Sequence, residues 1–266
     1  MTLDFRGKTA VITGGANGIG LAIARAFADG GASVWIFDLE KEHPAAAAVT
    51  LGGGGAHSGV TIDVTDRASL ETAFAQVPVP DIVVSNAGVG EPRELTETSA
   101  GLWNRTIAVN LTGAFHTVQL AATRMKPLRR GAIVLTASTN SYDGEPNLTA
   151  YNASKAGLLG LLHTAANELG PYQIRVNAVC PGLIRTRLTA GHFSDSSLLK
   201  EYFQDIPLGR GGEAGEVANA VAFLASDLAS YITGAALLVD GGQLASKFGP
   251  WDEDTAYFSE DRWRLR

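Results

Sequence analysis

Tyr151 and Lys155 stand four residues apart in Tyr151-Asn152-Ala153-Ser154-Lys155, a spacing that puts both side chains on one face of a helix. An ammonium one turn from a phenol favours phenolate and moves the phenol from its ordinary pKa of about 10 toward useful acid/base chemistry. The pair alone is also met on ordinary amphipathic helices, where Tyr edges a core and Lys snorkels into water. Ser138 adds a third group: it follows the apolar run Ala132 to Ala137 and precedes Tyr151 by thirteen residues. A hydroxyl at such a strand end can donate to a carbonyl or stabilise an alkoxide, while a lone Ser there serves only the turn. Together the three meet the needs of proton transfer at an alcohol or ketone oxygen.

A glycine loop supplies the second set of candidates. The run Thr9 to Thr13 leads into Thr13-Gly14-Gly15-Ala16-Asn17-Gly18-Ile19-Gly20 and then directly into an amphipathic stretch. Glycines allow positive φ and close approach of a ligand to the backbone, and free amides at a helix start attract a pyrophosphate. The spacing Gly14-x-x-x-Gly18-x-Gly20 differs from the commoner G-x-G-x-x-G and alone could be a tight turn. Asp38 adds weight, because it ends the next apolar run about 20 residues on, where a carboxylate accepts from both adenosine ribose hydroxyls and repels a 2′-phosphate. Leu39 follows it, and Gly15 and Ala16 offer no basic side chain, so NAD is expected over NADP. Asp63, beside Val64, is placed to reach the adenine amino group, with a turn or helix cap as its competing role. The candidates on this side are Gly14, Asn17, Gly18, Ile19, Gly20, Asp38, Leu39, Asp63 and Val64.

These residues need a frame. Apolar runs rich in β-branched residues recur at Thr9 to Thr13, Ser33 to Asp38, Gly59 to Val64, Asp81 to Ser85, Ala132 to Ala137, Arg175 to Val179 and Ala235 to Val239. Helix-period stretches lie between them: Gly18 to Asp29, Ser69 to Gln76, Leu102 to Met125, Tyr151 to Leu169 and Glu216 to Ser226. That rhythm predicts an α/β fold, a Rossmann-like, doubly wound parallel sheet of about seven strands with helices on both faces. Ligands of such sheets collect beyond the carboxyl ends of the strands, where the glycine loop, Asp38 and Ser138 all fall.

The 266-residue length suits one domain, and 18% charged residues fit an ordinary globular chain. A net charge of −6 without a Lys/Arg block argues against nucleic-acid binding. A lone Cys180 cannot form an internal disulfide, and no apolar run reaches the roughly 18 residues of a membrane span. With no signal-like segment at Met1 to Arg6, the cytoplasm is the expected compartment. His43, His57, His116, His163 and His192 show no metal-ligand spacing with Cys or carboxylates, so no metal is expected.

On the glycine loop, Asn86-Ala87-Gly88, Ser138, Tyr151 and Lys155, the chain closely resembles the short-chain dehydrogenase/reductase family in its single-domain form, over roughly residues 5 to 242. The resemblance implies a catalytic triad of Ser138, Tyr151 and Lys155, with Asn110 as fourth member holding a water that links Lys155 to solvent. It implies that Asn86, Ala87 and Gly88 line the cofactor, that Tyr151 and Lys155 also contact it, and that Pro181, Gly182 and Ile184 flank the nicotinamide. Thr186 would bond the carboxamide or the nearby phosphate. Ser85 replaces the Asn common before Asn86, which leaves the backbone role of that turn intact. Asn17 stands where nucleotide-sugar epimerase relatives usually carry glycine, which argues against that branch.

The resemblance further makes residues 187 to 206 a substrate lid and implies a homo-oligomer, a tetramer, through the helices of Asn110 and Tyr151 and the last strand. Thr139 to Leu148 forms a polar wall facing lid residues Leu188, Phe193, Leu198 and Tyr202, which favours a polyol, sugar or cyclic alcohol slightly over an oxoacyl group. A 3-oxoacyl-carrier-protein-type ketoreductase, or an NAD-binding sensor or scaffold without turnover, are the competing functions. The tail 243 to 266 carries Trp251, Tyr257, Phe258 and Trp263, more aromatics than disordered tails usually have, and is expected to pack on a neighbouring subunit.

Overall fold

A computed structural model describes residues 3–246 and 248–266. In the first half of the chain, strands β1 (Thr9–Thr13), β2 (Ser33–Asp38), β3 (His57–Thr61) and β4 (Ile82–Ser85) alternate with helices α1 (Gly18–Asp29), α2 (Pro44–Val49) and α3 (Arg67–Gln76). Helices α4 (Ala100–Ile107) and α5 (Gly113–Met125) follow, then β5 (Gly131–Thr136), the long α6 (Thr149–Leu169) and β6 (Ile174–Pro181). A short strand β7 (Ile184–Arg185), α7 (Ser196–Gln204), a second short strand β8 (Gly212–Glu213), α8 (Ala214–Ala225) and β9 (Ala236–Val239) complete the body. The chain ends in a hairpin, β10 (Ala256–Ser259) and β11 (Arg262–Leu265).

Seven strands form one parallel sheet in the order β3-β2-β1-β4-β5-β6-β9, as expected for a doubly wound fold. Each central strand is buried on both faces, which is why β1, β4 and β5 read as unbroken apolar runs. One core lies under α3, α5 and α6, with Phe74, Met125, Leu158 and Leu162; the other lies under α1 and α8, with Ile23, Phe27, Val217 and Val221. The sheet order reverses between β1 and β4, so the crevice beyond their carboxyl ends is where a dinucleotide fits.

Two expectations need correction. Strand β3 spans His57–Thr61 rather than 59–64, because Asp63 turns the chain: its Oδ1 accepts from Thr65 N at 2.9 Å and Thr65 Oγ1 at 2.7 Å. The helix expected over Leu102 to Met125 is two helices joined by a π turn, Ala108–Thr112, with Asn110 in its middle. Such turns recur at functional sites, since the widened turn re-aims a side chain. The tail packs on its own chain: Trp263 is 4% exposed and lies against Leu199, Phe203 and Ile206. No helix among the described residues is long and apolar enough to cross a membrane.

Candidate active site

The glycine loop is held by its own backbone crowding. Gly18 opens α1 at φ +51°, a conformation that side chains disfavour. A Cβ on Gly20 would run into Gly14 O and stand 2.7 Å from Asn86 Nδ2. Asn86 Nδ2 donates to Gly14 O at 3.0 Å, and Thr13 Oγ1 accepts from the amides of Asn86 and Ala87 at 3.1 and 3.3 Å. Asn86-Ala87 thus fixes the loop as well as bordering the groove.

The start of α1 fits a pyrophosphate. Asn17, at the N-cap, does not cap the helix, and the first turn holds no acidic residue, so nothing in it competes with an anion for the free amides around Gly18, Ile19 and Gly20. Asp38 Oδ2 accepts from Ala16 N at 2.9 Å and Oδ1 from Leu39 N at 2.8 Å, which leaves a lone pair on each oxygen for ribose hydroxyls. Burial raises the Asp38 pKa above its ordinary value, against these two backbone bonds; Glu42 also raises it and Arg187 lowers it.

Sequence reasoning missed Glu42. Its Oε2 accepts from Asn17 Nδ2 and from Arg187 Nη2, both at 2.7 Å, and places a second carboxylate at the adenosine end. Only the contact between distant segments reveals it. Leu39 is exposed at the end of β2, whereas the Val64 side chain is buried against Gly113. Thr186 lies against the glycine loop, its Cβ 3.5 Å from where a Cβ on Gly18 would stand, and is held by Thr189 Oγ1 at 3.0 Å from its amide. Pro181 and Ile184 are buried and Gly182 half-buried at the end of β6.

The chemical end assembles from four elements. Ser138 follows β5, where its hydroxyl donates to Asn140 Oδ1 at 3.3 Å and accepts from Asn140 N at 3.2 Å. Tyr151 and Lys155 sit one turn apart on α6, with Lys155 Nζ 5.5 Å from the centroid of the Tyr151 ring. Lys155 is 4% exposed and donates to Thr136 O at 2.8 Å; burial brings its pKa down to about 8. Gly90 presses on the Tyr151 ring, and Gly88 lies between Asn110 Oδ1 and Lys155 Nζ, 3.5 and 3.6 Å from its Cβ position.

The expected depression of the Tyr151 pKa is not found in the protein alone. Burial raises it, the Ser138 hydroxyl opposes that rise, and Glu145 adds to it. Burial of the ring thus outweighs the Ser138 hydrogen bond. Asn110 is 1% exposed and both its Nδ2 hydrogens are used: Oδ1 accepts from Val89 N at 2.8 Å, and Nδ2 donates to Val89 O at 2.9 Å and Ser154 Oγ at 3.0 Å. It ties the loop after β4 to the helix that carries Tyr151 and Lys155.

The wall after Ser138 is polar, as expected, and it is ordered. Asn140 Nδ2 donates to Asn152 Oδ1 at 2.8 Å and reaches Glu145 Oε2 at 3.4 Å. Across Gly90 from this wall, a cleft of about 190 Å³ opens between Val89, Glu91, Leu102, Arg105 and Leu188. His192 is exposed. Among the described residues no three His, Cys, Asp or Glu side chains gather to hold a metal ion.

Residues 14–243 match the family model described as enoyl-(acyl carrier protein) reductase. The chain is 41% identical over 249 residues to an uncharacterized short-chain type dehydrogenase/reductase of Sinorhizobium fredii, covering 90% of this chain and 98% of that one. The chain is a short-chain dehydrogenase/reductase. As such it is an oxidoreductase that acts on CH–OH groups with a nicotinamide dinucleotide, interconverting a secondary alcohol and a ketone by hydride transfer. Within the family it is 40% identical over 248 residues to an L-rhamnose 1-dehydrogenase (NAD(P)(+)) of Azotobacter vinelandii, covering 88% of this chain and 96% of that one. A 3-oxoacyl-[acyl-carrier protein] reductase of Brucella melitensis, solved with bound NAD, superposes with a TM-score of 0.82 at 34% identity, covering 91% of this chain and 93% of the other.

Proposed function

We propose that this short-chain dehydrogenase/reductase oxidises a small polyol, sugar or cyclic alcohol with NAD. The observation that carries the reading is the meeting of Ser138, Tyr151, Lys155 and Asn110 at the carboxyl edge of β4 and β5, beside an uncapped helix start and an Asp38 with acceptor capacity left on each oxygen. Gly14, Gly18, Ile19 and Gly20 would hold the pyrophosphate, Asp38 the adenosine ribose, and Asp63 and Val64 the adenine. Asn86, Ala87, Gly88, Pro181, Gly182, Ile184 and Thr186 would hold the nicotinamide half.

The bound cofactor supplies the hydride acceptor. Ser138 Oγ would hold the substrate oxygen, and Tyr151 Oη, as phenolate, would take the hydroxyl proton while the carbinol carbon gives its hydride to the nicotinamide. Lys155 would hold the nicotinamide ribose and pass the proton outward, and Asn110 would keep the loop and helix aligned and support the water path to solvent. Asp38 favours NAD, because a 2′-phosphate would be placed against its carboxylate, while the Glu42 charge is paired with Arg187. A 3-oxoacyl reductase role is the second reading, favoured by the likeness to the Brucella protein. Half-exposed Trp103 and Phe115 on α4 and α5, and Leu237 and Leu238 on β9, support a homotetramer. A cytoplasmic setting suits the single buried Cys180 thiol.

The test is nicotinamide absorbance with NAD or NADP across polyols, sugars, cyclic alcohols and hydroxyacyl esters. Turnover with NAD on the hydroxylated compounds is expected. Turnover with NADP on hydroxyacyl esters alone would replace this reading with the second.

A further inference from the structure

The strap that follows β6 is fixed at its root and reaches across the glycine loop. Leu183 O accepts from Gly212 N at 2.9 Å and β7 pairs with β8, so Ile184 and Arg185 belong to a small sheet on the body of the fold. Arg185 is held there again by its side chain, which pairs with Asp261 at 3.0 Å and Glu213 at 3.5 Å and stacks 4.1 Å from the Phe193 ring centroid. Thr189 closes the turn that comes next: its Oγ1 donates to Ile184 O at 2.5 Å and accepts from Thr186 N at 3.0 Å. That turn sets Thr186 against Gly18, where the free amides of α1 begin.

Arg187 carries the strap across to the other wall. Its Nη2 donates to Glu42 Oε2 at 2.7 Å, and the same oxygen accepts from Asn17 Nδ2 at 2.7 Å. The three residues come from three separate segments: the strap, the turn after β2 and the N-cap of α1. Asn is among the residues that best cap a helix, yet Asn17 leaves α1 uncapped and spends its amide on Glu42. The Glu42 side chain is 14% exposed and that of Arg187 70%, so the carboxylate is a shielded anchor and the guanidinium is the partner free to swing into water. An ion pair this open adds little to folding stability. Its effect is to join the strap to the adenosine end of the groove, over the helix start that suits a pyrophosphate.

We propose that Arg187, Glu42 and Asn17 form a clip that closes the strap over the dinucleotide groove, and that the cofactor leaves only when the Arg187–Glu42 pair opens. Glu42 and Asn17 are then positioning residues that act on the cofactor through the strap. This rests on the pyrophosphate site at the start of α1.

The test measures NADH dissociation by stopped-flow fluorescence, with excess NAD as chaser, in wild type, Arg187→Gln, Glu42→Ala and the double variant, together with hydrogen exchange of the cofactor-free proteins. Each single substitution should speed NADH release ~5-fold, and the double no further, because either one breaks the same pair. High salt should bring wild type toward the variants, since an exposed pair is screened. Amides 186–192 should lose protection in both single variants while those of α1 and β1 keep theirs. Slower release in Glu42→Ala would overturn the clip, because it would mean that Arg187, once freed, binds the cofactor phosphates directly. Additive effects in the double variant, or unchanged exchange of the strap, would overturn it as well. Full NADH affinity in Gly20→Ala would instead overturn the pyrophosphate placement, and with it the hold of the clip on the cofactor.

Discussion

Around the glycine loop the backbone itself is crowded: Gly20 admits no Cβ beside Gly14 O, and Thr13 and Asn86 lock the two loops together. Around α7 the structure is held instead by side chains brought from a distant segment, Trp251 and Trp263 against Leu199 and Phe203. The cofactor side is a rigid backbone mould that tolerates almost no substitution. The lid side is a packing solution that other residues could also satisfy. The contrast suggests that one half serves a fixed ligand and the other can be retuned for different substrates.

The contrast can be broken most severely at Gly20. Gly20→Ala should push α1 off Gly14 and weaken NAD binding by at least ~100-fold by fluorescence titration, with α7 exchange unchanged. Equal loosening of both regions would show that they are one cooperative unit. Asp38→Ala should come next, with a ~10- to 100-fold loss in NAD over NADP preference in kcat/KM, since it removes two charged hydrogen bonds and a repulsive carboxylate. An unchanged preference would leave Glu42 as the discriminating group.

The smallest effect is on stability and sharpens the chemical end. The folded-state pKa of Lys155 is depressed to about 8 from 10.5, so the unfolded chain binds more protons between those values. Wild-type stability relative to Lys155→Met should therefore rise with pH across that window, by on the order of 3 kcal/mol, and stay flat below it. Denaturant midpoints at stepped pH would show it. A flat difference throughout would mean that Lys155 is not held dry.

The parallel sheet and the positions of Ser138, Tyr151 and Lys155 were legible because periodicity and fixed local offsets encode them. Tyr151 and Lys155 are neighbours on one helix, and Ser138 ends a strand whose apolar run is unbroken. The π turn at Asn110 was not legible, since its residues are ordinary helix formers and the bulge follows from how Asn110 meets Val89 and Ser154. Glu42 and Arg187 were hidden for the same reason: each acts through a partner distant in sequence. The aromatic content of the tail did signal order, but whether Trp263 would find its own chain or a neighbour depended on the bare face of α7.

The central claim is that Tyr151 moves the proton while NAD takes the hydride. The most direct measurement is the pH dependence of NAD reduction by a turned-over alcohol, in wild type and Tyr151→Phe. The account predicts a wild-type rate that climbs toward alkaline pH, because burial keeps the phenol protonated at neutrality, and a variant at least ~100-fold slower that still binds NAD. A Tyr151→Phe enzyme with the same rate and the same pH profile would contradict it.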